Sequence, residues 1–311
     1  MVMARGIVLT LLMLSLAILL SGVSVSAHAT NSAEAHVGRA PFGFIEKLGG
    51  RHKGEKNVTD LRKLKAYLNR FGYPCSDDHS HDDEFDTSLE AAIKAYQMNY
   101  RLTPTGVLDK ETVEKMMAPR CGYPDTVNRT VQLATGMMMK KQSGSLRTVS
   151  HYNFFPNQPR WPLSKTNLRY TFFSNLPDYA RQPIANAFGQ WEAATRFTFE
   201  YVTAVNQADL TIGFYSGEHG DRNAFDGPGG ILAHAFAPTN GRMHFDETEN
   251  WSTDPTPGAM HLETVAVHEI GHLLGLDHSQ VEEAIMYATI APGVSKVLQP
   301  DDKDGIRVLY S

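Results

Sequence analysis

One stretch near the C-terminal end limits this chain more than any other: His268-Glu269-Ile270-Gly271-His272-Leu273-Leu274-Gly275-Leu276-Asp277-His278. Four-residue spacing puts His268 and His272 on one face of a helix, so both rings can aim a nitrogen at one metal ion. Glu269 stands one step along, within reach of a water held at an open metal position. Gly275 lets the chain leave the helix in a left-handed conformation, and the turn carries His278 round as a third ligand. Three nitrogens with a fourth position left free describe a catalytic zinc rather than a structural one. A five-residue H-E-x-x-H recurs by chance. The eleven-residue form, with its glycine and third histidine, is far more specific.

This stretch resembles the zinc-binding motif of the metzincins. Met286 lies eight residues past His278, in Ala284-Ile285-Met286-Tyr287, where that group carries a methionine-bearing Met-turn beneath the metal. The resemblance implies a metalloendopeptidase with His268, His272 and His278 as zinc ligands and Glu269 as general base.

At 311 residues the chain can hold two domains with real cores, and a net charge of -5 gives no reason to expect nucleic-acid binding. An apolar run from Ile7 to Leu20 follows Arg5, and Ala27-His28-Ala29 is a cleavage-like site. This predicts a signal peptide over 1–29 and a secreted protein, since the run is short for a bilayer span. A signal anchor is the alternative. The ending at Tyr310-Ser311 carries no hydrophobic tail, so no stable membrane anchor is expected. Asn57, Asn128 and Asn250 stand in glycosylation sequons.

Cys121 lies in Pro119-Arg120-Cys121-Gly122-Tyr123-Pro124-Asp125, which is similar to the cysteine switch of the matrixins, the matrix metalloproteinases. The chemistry suits the resemblance, because a thiolate at the open fourth position displaces the attacking water. Arg120 and Asp125 can pair to hold the bend. The alternative for Cys121 is a disulfide with Cys75 or an inert buried thiol, and Cys75 itself falls outside the family pattern.

Upstream, 55–118 reads as a small helical unit. Asp60 is placed to cap a helix bearing Leu61, Leu64, Tyr67 and Leu68; a second helix carries Leu89, Ile93, Tyr96 and Met98, and a third Val113 and Met117. This unit resembles a peptidoglycan-binding-like module, the usual matrixin prodomain. His79 and His81 among carboxylates read as a solvated acidic loop rather than a metal site. Residues 126–150 have linker character, with removal of the prosegment expected around 145–152 by another protease. Lys140-Lys141 falls too early for a dibasic site at that junction.

From 151 onward the pattern is mixed. Strands are expected at 168–173, 197–202 and 210–215, with a helix over 178–196 whose Ala180, Ile184, Ala187, Phe188 and Trp191 face a sheet. His219, Asp221, His234 and His244 offer three nitrogens and a carboxylate with no vacancy, a closed structural zinc, and they match the matrixin residues one for one. Between them runs Asp226-Gly227-Pro228-Gly229-Gly230-Ile231. Oxygen-only ligation there selects Ca2+. The resemblance implies a calcium held by Asp226, Gly227, Gly229, Ile231, Asp246 and Glu249, the glycines and isoleucine through backbone oxygen.

The expected fold is α+β: a metzincin-type catalytic domain, a twisted mixed sheet with three helices, preceded by a small three-helix peptidoglycan-binding-like prodomain. The expected boundaries are a signal peptide at 1–29, an N-terminal pro-segment at 30–54, the helical prodomain at 55–118, the cysteine-switch segment at 119–125, an activation linker at 126–150 and the catalytic domain at 151–311. The resemblance further implies two zinc ions and at least one calcium, and extended peptides of extracellular proteins docked on a strand at 230–236. It also implies a pocket tuned by Thr264 for a Leu-like side chain, a monomer, and Asp301 or Asp302 holding the freed N-terminus. Ala288 stands where the family has proline after the Met-turn tyrosine. With no hemopexin-like domain following, the motifs lean to plant matrixins. The alternatives are another metzincin, of astacin or adamalysin type, and a non-catalytic wall-binding protein. Ser279 and the setting of Cys121 disfavour the first, and the intact ligand set disfavours the second.

Overall fold

The computed structural model describes residues 40–75, 83–125 and 151–311. The apolar N-terminal run, Asn128, His79, His81 and the stretch 126–150 lie outside the described residues.

The N-terminal unit packs helices α1 (Leu61–Arg70), α2 (Thr87–Asn99) and α3 (Lys110–Met117) with a short 3-10 turn at Gly43–Leu48. Leu61, Leu64 and Leu68 fall on one face of α1 and are fully buried, as are Leu89, Ile93 and Tyr96 on α2. Asp86 and Asp109 cap α2 and α3, accepting the amides of Leu89 and Thr112 at 2.7 and 2.9 Å. Asp60 does not cap α1: its backbone is left-handed (φ 69°), and its side chain turns instead to Lys63 at 2.8 Å. Met98 is 41% exposed rather than inward, because the α2 stripe runs on from Tyr96 to Tyr100.

The C-terminal domain is built on strands β3 (Asn167–Phe172), β4 (Thr198–Tyr201), β5 (Leu210–Tyr215), β6 (Ile231–Ala235) and β7 (Arg242–Asp246). Helix α4 (Asp178–Ala194) follows β3, α5 (Leu262–Leu273) carries the motif, and α6 (Pro300–Leu309) ends the chain. Strand order is β6-β7-β5-β3-β4, with only β6 antiparallel to its neighbour. Parallel neighbours need crossovers, and α4 supplies the one between β3 and β4. The expected inward residues of α4 are all buried, and the Trp191 indole donates to the Val267 carbonyl at 2.8 Å, pinning α4 to α5. Fully burying each such aromatic or aliphatic side chain contributes about 1.5–3 kcal/mol. The result is the α+β arrangement expected, with three helices in each part.

The two parts share a core. Phe225, Ile231, Tyr287 and Ala288 of the C-terminal domain are buried with the aromatic residues of the N-terminal unit. A two-residue strand β1 (Arg120–Cys121) joins the sheet as a sixth strand, parallel to β6.

Candidate metal centres

Helix α5 begins at Leu262 and presents His268 and His272 on its buried face. Gly275, at φ 103°, turns the chain out of the helix, and Leu276–Asp277 then pairs with Asn153–Phe154 to bring His278 alongside. Each ring is anchored through Nδ1. That of His268 lies 2.7 Å from the Ile285 carbonyl, and that of His272 lies 2.8 Å from the Leu276 carbonyl. Carbonyls only accept, so Nδ1 carries the proton in both and the Nε2 lone pair points inward. The Nε2 atoms of His272 and His278 stand 3.3 Å apart, and Cys121 Sγ stands 3.4 Å from His272 Nε2. The four donor atoms lie within 4.8 Å of one another.

Among the described residues, His268 Nε2 and both carboxylate oxygens of Glu269 are buried without a hydrogen-bond partner. Such groups are costly unless something satisfies them. Burial, and then the neighbouring rings, hold His268 and His272 well below the usual histidine range, so they stay neutral. Burial raises the Glu269 carboxyl to about 8, and burial with the Glu269 charge beside it pushes the Cys121 thiol up. Three imidazoles, a thiol and a carboxyl group in buried surroundings form a donor set that fits zinc, whose charge would favour the anionic forms of the thiol and the carboxyl at once.

The turn bearing Met286 lies directly beneath. A Cβ on Gly271 would collide with the Met286 sulfur, so any side chain at position 271 would force Met286 to move. Met286 is 2% exposed, and its carbonyl accepts the Ser279 amide at 2.8 Å. Asp302 of α6 accepts the amides of Ile285 and Met286, at 3.0 and 3.1 Å, and that of Gln299 at 2.7 Å. Of the two aspartates, Asp301 is the one that meets the start of the domain. It accepts the amides of His151 and Tyr152 at 3.1 and 3.0 Å.

Cys121 reaches the cluster because its segment is clamped on both sides. The Arg120 and Gly122 amides donate to Gly230 and Ala233 of the β6 edge, at 3.0 and 2.8 Å, and the Cys121 amide donates to Ala288 at 2.9 Å. Gly122 admits the close approach, since a Cβ there would lie 2.8 Å from Ile231 Cγ2. Arg120 is fully buried, stacked 3.5 Å over Phe71, and ion-paired with the buried Asp125. Asp125 also accepts from the Tyr73 and Tyr100 hydroxyls at 2.8 and 2.9 Å. Burial alone would raise this carboxyl, but Arg120 and then His278 hold it well below the usual carboxylate range. Cys75 and Cys121 are both buried and no disulfide joins them, which removes the disulfide alternative.

A second cluster sits where β5, β6 and β7 meet the loop at 217–230. Asp221 Oδ2 lies 2.9 Å from His219 Nε2, 2.7 Å from His234 Nε2 and 2.8 Å from His244 Nδ1. Burial holds His234 and His244 down to about 4, so neutral rings converge on one oxygen. Four donors from one histidine-rich set suit a closed site.

A family model described as matrixin matches residues 160–311, and one described as a peptidoglycan binding domain matches residues 57–116. The chain is 44% identical over 278 residues to metalloendoproteinase 5-MMP of Arabidopsis thaliana, which covers 86% of this chain and 75% of that protein. It is 43% identical over 296 residues to metalloendoproteinase 1 of Glycine max, across 92% of this chain and 91% of that one. Stromelysin-1 of Mus musculus is 36% identical over 261 residues, 80% of this chain and 49% of its own. This chain belongs to the matrixin family. It is a metalloendopeptidase.

Other positions singled out in the sequence of this matrixin can be placed as well. Asp226, Asp246 and Glu249 gather round the glycine-rich loop: Asp226 accepts the Ile231 amide at 2.8 Å, Glu249 that of Gly229 at 2.8 Å, and Asp246 that of Gly227 at 3.3 Å. Burial raises Asp226, and it raises Glu249 to about 7. Their side-chain oxygens do not close into a cage as tight as the two histidine clusters. Thr264 is fully buried, and its hydroxyl faces His261 Nδ1 at 2.8 Å and accepts the Lys296 amide at 3.0 Å. That hydroxyl ties α5 to the chain beyond Met286. Asn57 and Asn250 are exposed. Asp302 under the Met286 turn and Asp125 against His278 had no signal in spacing, because their partners, 16 and 153 residues away, follow no helical or strand period. No helix among the described residues is long and apolar enough to cross a membrane.

Proposed function

We propose that this matrixin is made as a secreted, zinc- and calcium-dependent zymogen whose Cys121 thiolate closes the active site until the prosegment is removed. One observation carries the reading. Cys121 Sγ, delivered on β1, completes a four-donor group with His268, His272 and His278, and Glu269 lies beside it with both oxygens unpartnered. His268, His272 and His278 would hold the catalytic zinc, and His219, Asp221, His234 and His244 a structural one. The loop carboxylates Asp226, Asp246 and Glu249, with carbonyls of Gly227, Gly229 and Ile231, would hold calcium.

Bound zinc supplies Lewis acidity, which makes water nucleophilic near neutral pH and polarises a carbonyl. The chain's own residues do the rest. Glu269 takes the proton of the attacking water on its carboxylate and returns it to the leaving amine. The β6 edge, where β1 now lies, offers its amides and carbonyls to an extended substrate peptide by strand addition. A substrate and the prosegment thus compete for one edge, which gives latency a steric part as well as a chemical one.

The test uses the full chain on an extended-peptide library, with limited proteolysis inside 126–150 as the activating step. The untreated chain should be latent, Cys121→Ser should shed that latency, and chelation should stop cutting. Cys121→Ser/Glu269→Gln should keep its zinc and stay silent. Equal cutting by that double variant, or cutting that survives zinc removal, sinks the reading.

A further inference from the structure

The three histidines of the catalytic cluster are not anchored alike. His268 and His272 give their Nδ1 protons to carbonyls of the catalytic domain itself, Ile285 and Leu276. His278 has its Nδ1 3.1 Å from Asp125 Oδ1, a carboxylate four residues beyond Cys121 on the same short segment. The outer hydrogen bond of a metal-bound histidine sets its tautomer and ring direction and raises its basicity, most strongly when the acceptor is a carboxylate.

We propose that Asp125 is a positioning residue for the metal site, so that the prosegment contributes both the fourth donor, Cys121, and the outer anchor of the third, His278. The inference rests on the zymogen reading above and extends it. Asp125 is built for the task. Its Oδ1 faces His278 and Arg120, while Oδ2 takes the Tyr73 and Tyr100 hydroxyls and the other guanidinium nitrogen. Its amide donates to the Phe71 carbonyl at 3.0 Å. The carboxylate is therefore held from the N-terminal unit and aimed into the catalytic domain. Departure of 119–125 removes one donor and frees a second ring to turn. The zymogen then retains its metal better than the mature enzyme by more than the loss of a thiolate explains.

The experiment loads the full chain with cobalt, whose thiolate charge-transfer band marks the metal touching Cys121, and follows its decay in excess chelator. Asp125→Asn keeps the shape and removes the charge; the band should form and then decay about 10–100-fold faster, the usual effect of losing an outer partner. Tyr73→Phe removes a hydrogen bond to the oxygen turned away from His278, and should decay near the wild-type rate. Wild-type decay in Asp125→Asn overturns the proposal. Equal acceleration in Tyr73→Phe also overturns it, because Asp125 would then be acting through prodomain packing alone.

No band in the wild type defeats the cysteine reading instead. Zinc retention by Cys121→Ser, compared with Cys121→Ser/Asp125→Asn, then still decides the role of Asp125. Should Asp125→Asn fail to fold, the imidazole Nδ1 protons of the wild-type chain decide by NMR. A His278 proton protected from solvent exchange in the full chain, and released once the prosegment is removed, supports the anchor; one that exchanges freely throughout refutes it.

Discussion

In the cluster on α5 the donors come from positions 121, 268, 272 and 278; in the cluster beside β6 and β7 they come from 219, 221, 234 and 244. Both hold three histidines and one sulfur or carboxylate donor in buried or nearly buried surroundings. The difference is the origin of the fourth donor. Asp221 stands two residues from His219, inside the same loop, and cannot leave without unfolding it. Cys121 stands 151 residues before His272, on a two-residue strand joined to the rest through 126–150. A donor that is local closes a site for good. A donor that arrives by tertiary packing closes it only while the packing lasts.

The two clusters differ most at Glu269, which stands beside the first and has no counterpart in the second among the described residues. Glu269→Gln should lower peptide cleavage by the activated chain about 10²–10⁴-fold, with zinc content unchanged. Asp221→Asn should instead loosen the fold and leave the chemistry of the remaining folded protein intact. Measured turnover and metal content on both variants would separate them, and a Glu269→Gln enzyme of normal activity would erase the distinction.

Next comes the packing that brings Cys121 in. Arg120→Ala leaves the buried Asp125 without its main partner, which should cost about 3–5 kcal/mol. Denaturant unfolding should register this in the latent chain and not after the prosegment is gone. A similar loss in both forms would mean that the pair supports the catalytic domain itself.

Smaller effects probe what lies under each part. Gly271→Ala pushes a methyl into the Met286 sulfur and should destabilise the domain by about 1–3 kcal/mol, the usual cost of overpacking. Thermal unfolding of latent and activated chains should shift alike, since the contact belongs wholly to the catalytic domain. A shift confined to the latent chain would place Met286 with the prosegment instead.

The mildest change is at the prodomain cap. Asp109→Ala should cost about 1 kcal/mol. Burial alone would raise the Asp109 carboxyl, yet hydrogen bonds from the hydroxyl and amide of Thr112 and from the Thr105 hydroxyl hold it below its usual value. A depressed carboxyl stabilises fully above its unfolded pKa, about 3.9, and loses that contribution as pH falls through the folded value. The gap between variant and wild type should therefore narrow below about pH 4. A gap that widens on acidification would show the cap acting in its protonated form.

Much of this was legible in one dimension because it obeys short periods. The four-residue step from His268 to His272, the glycine at 275 and the leucines of α1 all act within a turn or two of themselves. The same holds for the segment 219–244, whose donors are close enough in sequence to read as a set. Local rules also misled: Asp60 stood where a cap belongs, and a left-handed backbone turned it aside.

The sequence by itself determined the helix that carries His268 and His272, the glutamate beside them, and the two sets of side chains that the fold gathers into clusters. Tertiary structure alone decided which oxygen meets His278, that Asp302 carries the Met286 turn while Asp301 meets residues 151 and 152, and that Thr264 is occupied by Lys296. The physical reason is reach. Hydrogen bonds and buried charges satisfy whatever the fold brings within 3 Å or so, and across separations from 16 to 153 residues no period in the sequence announces which groups those are.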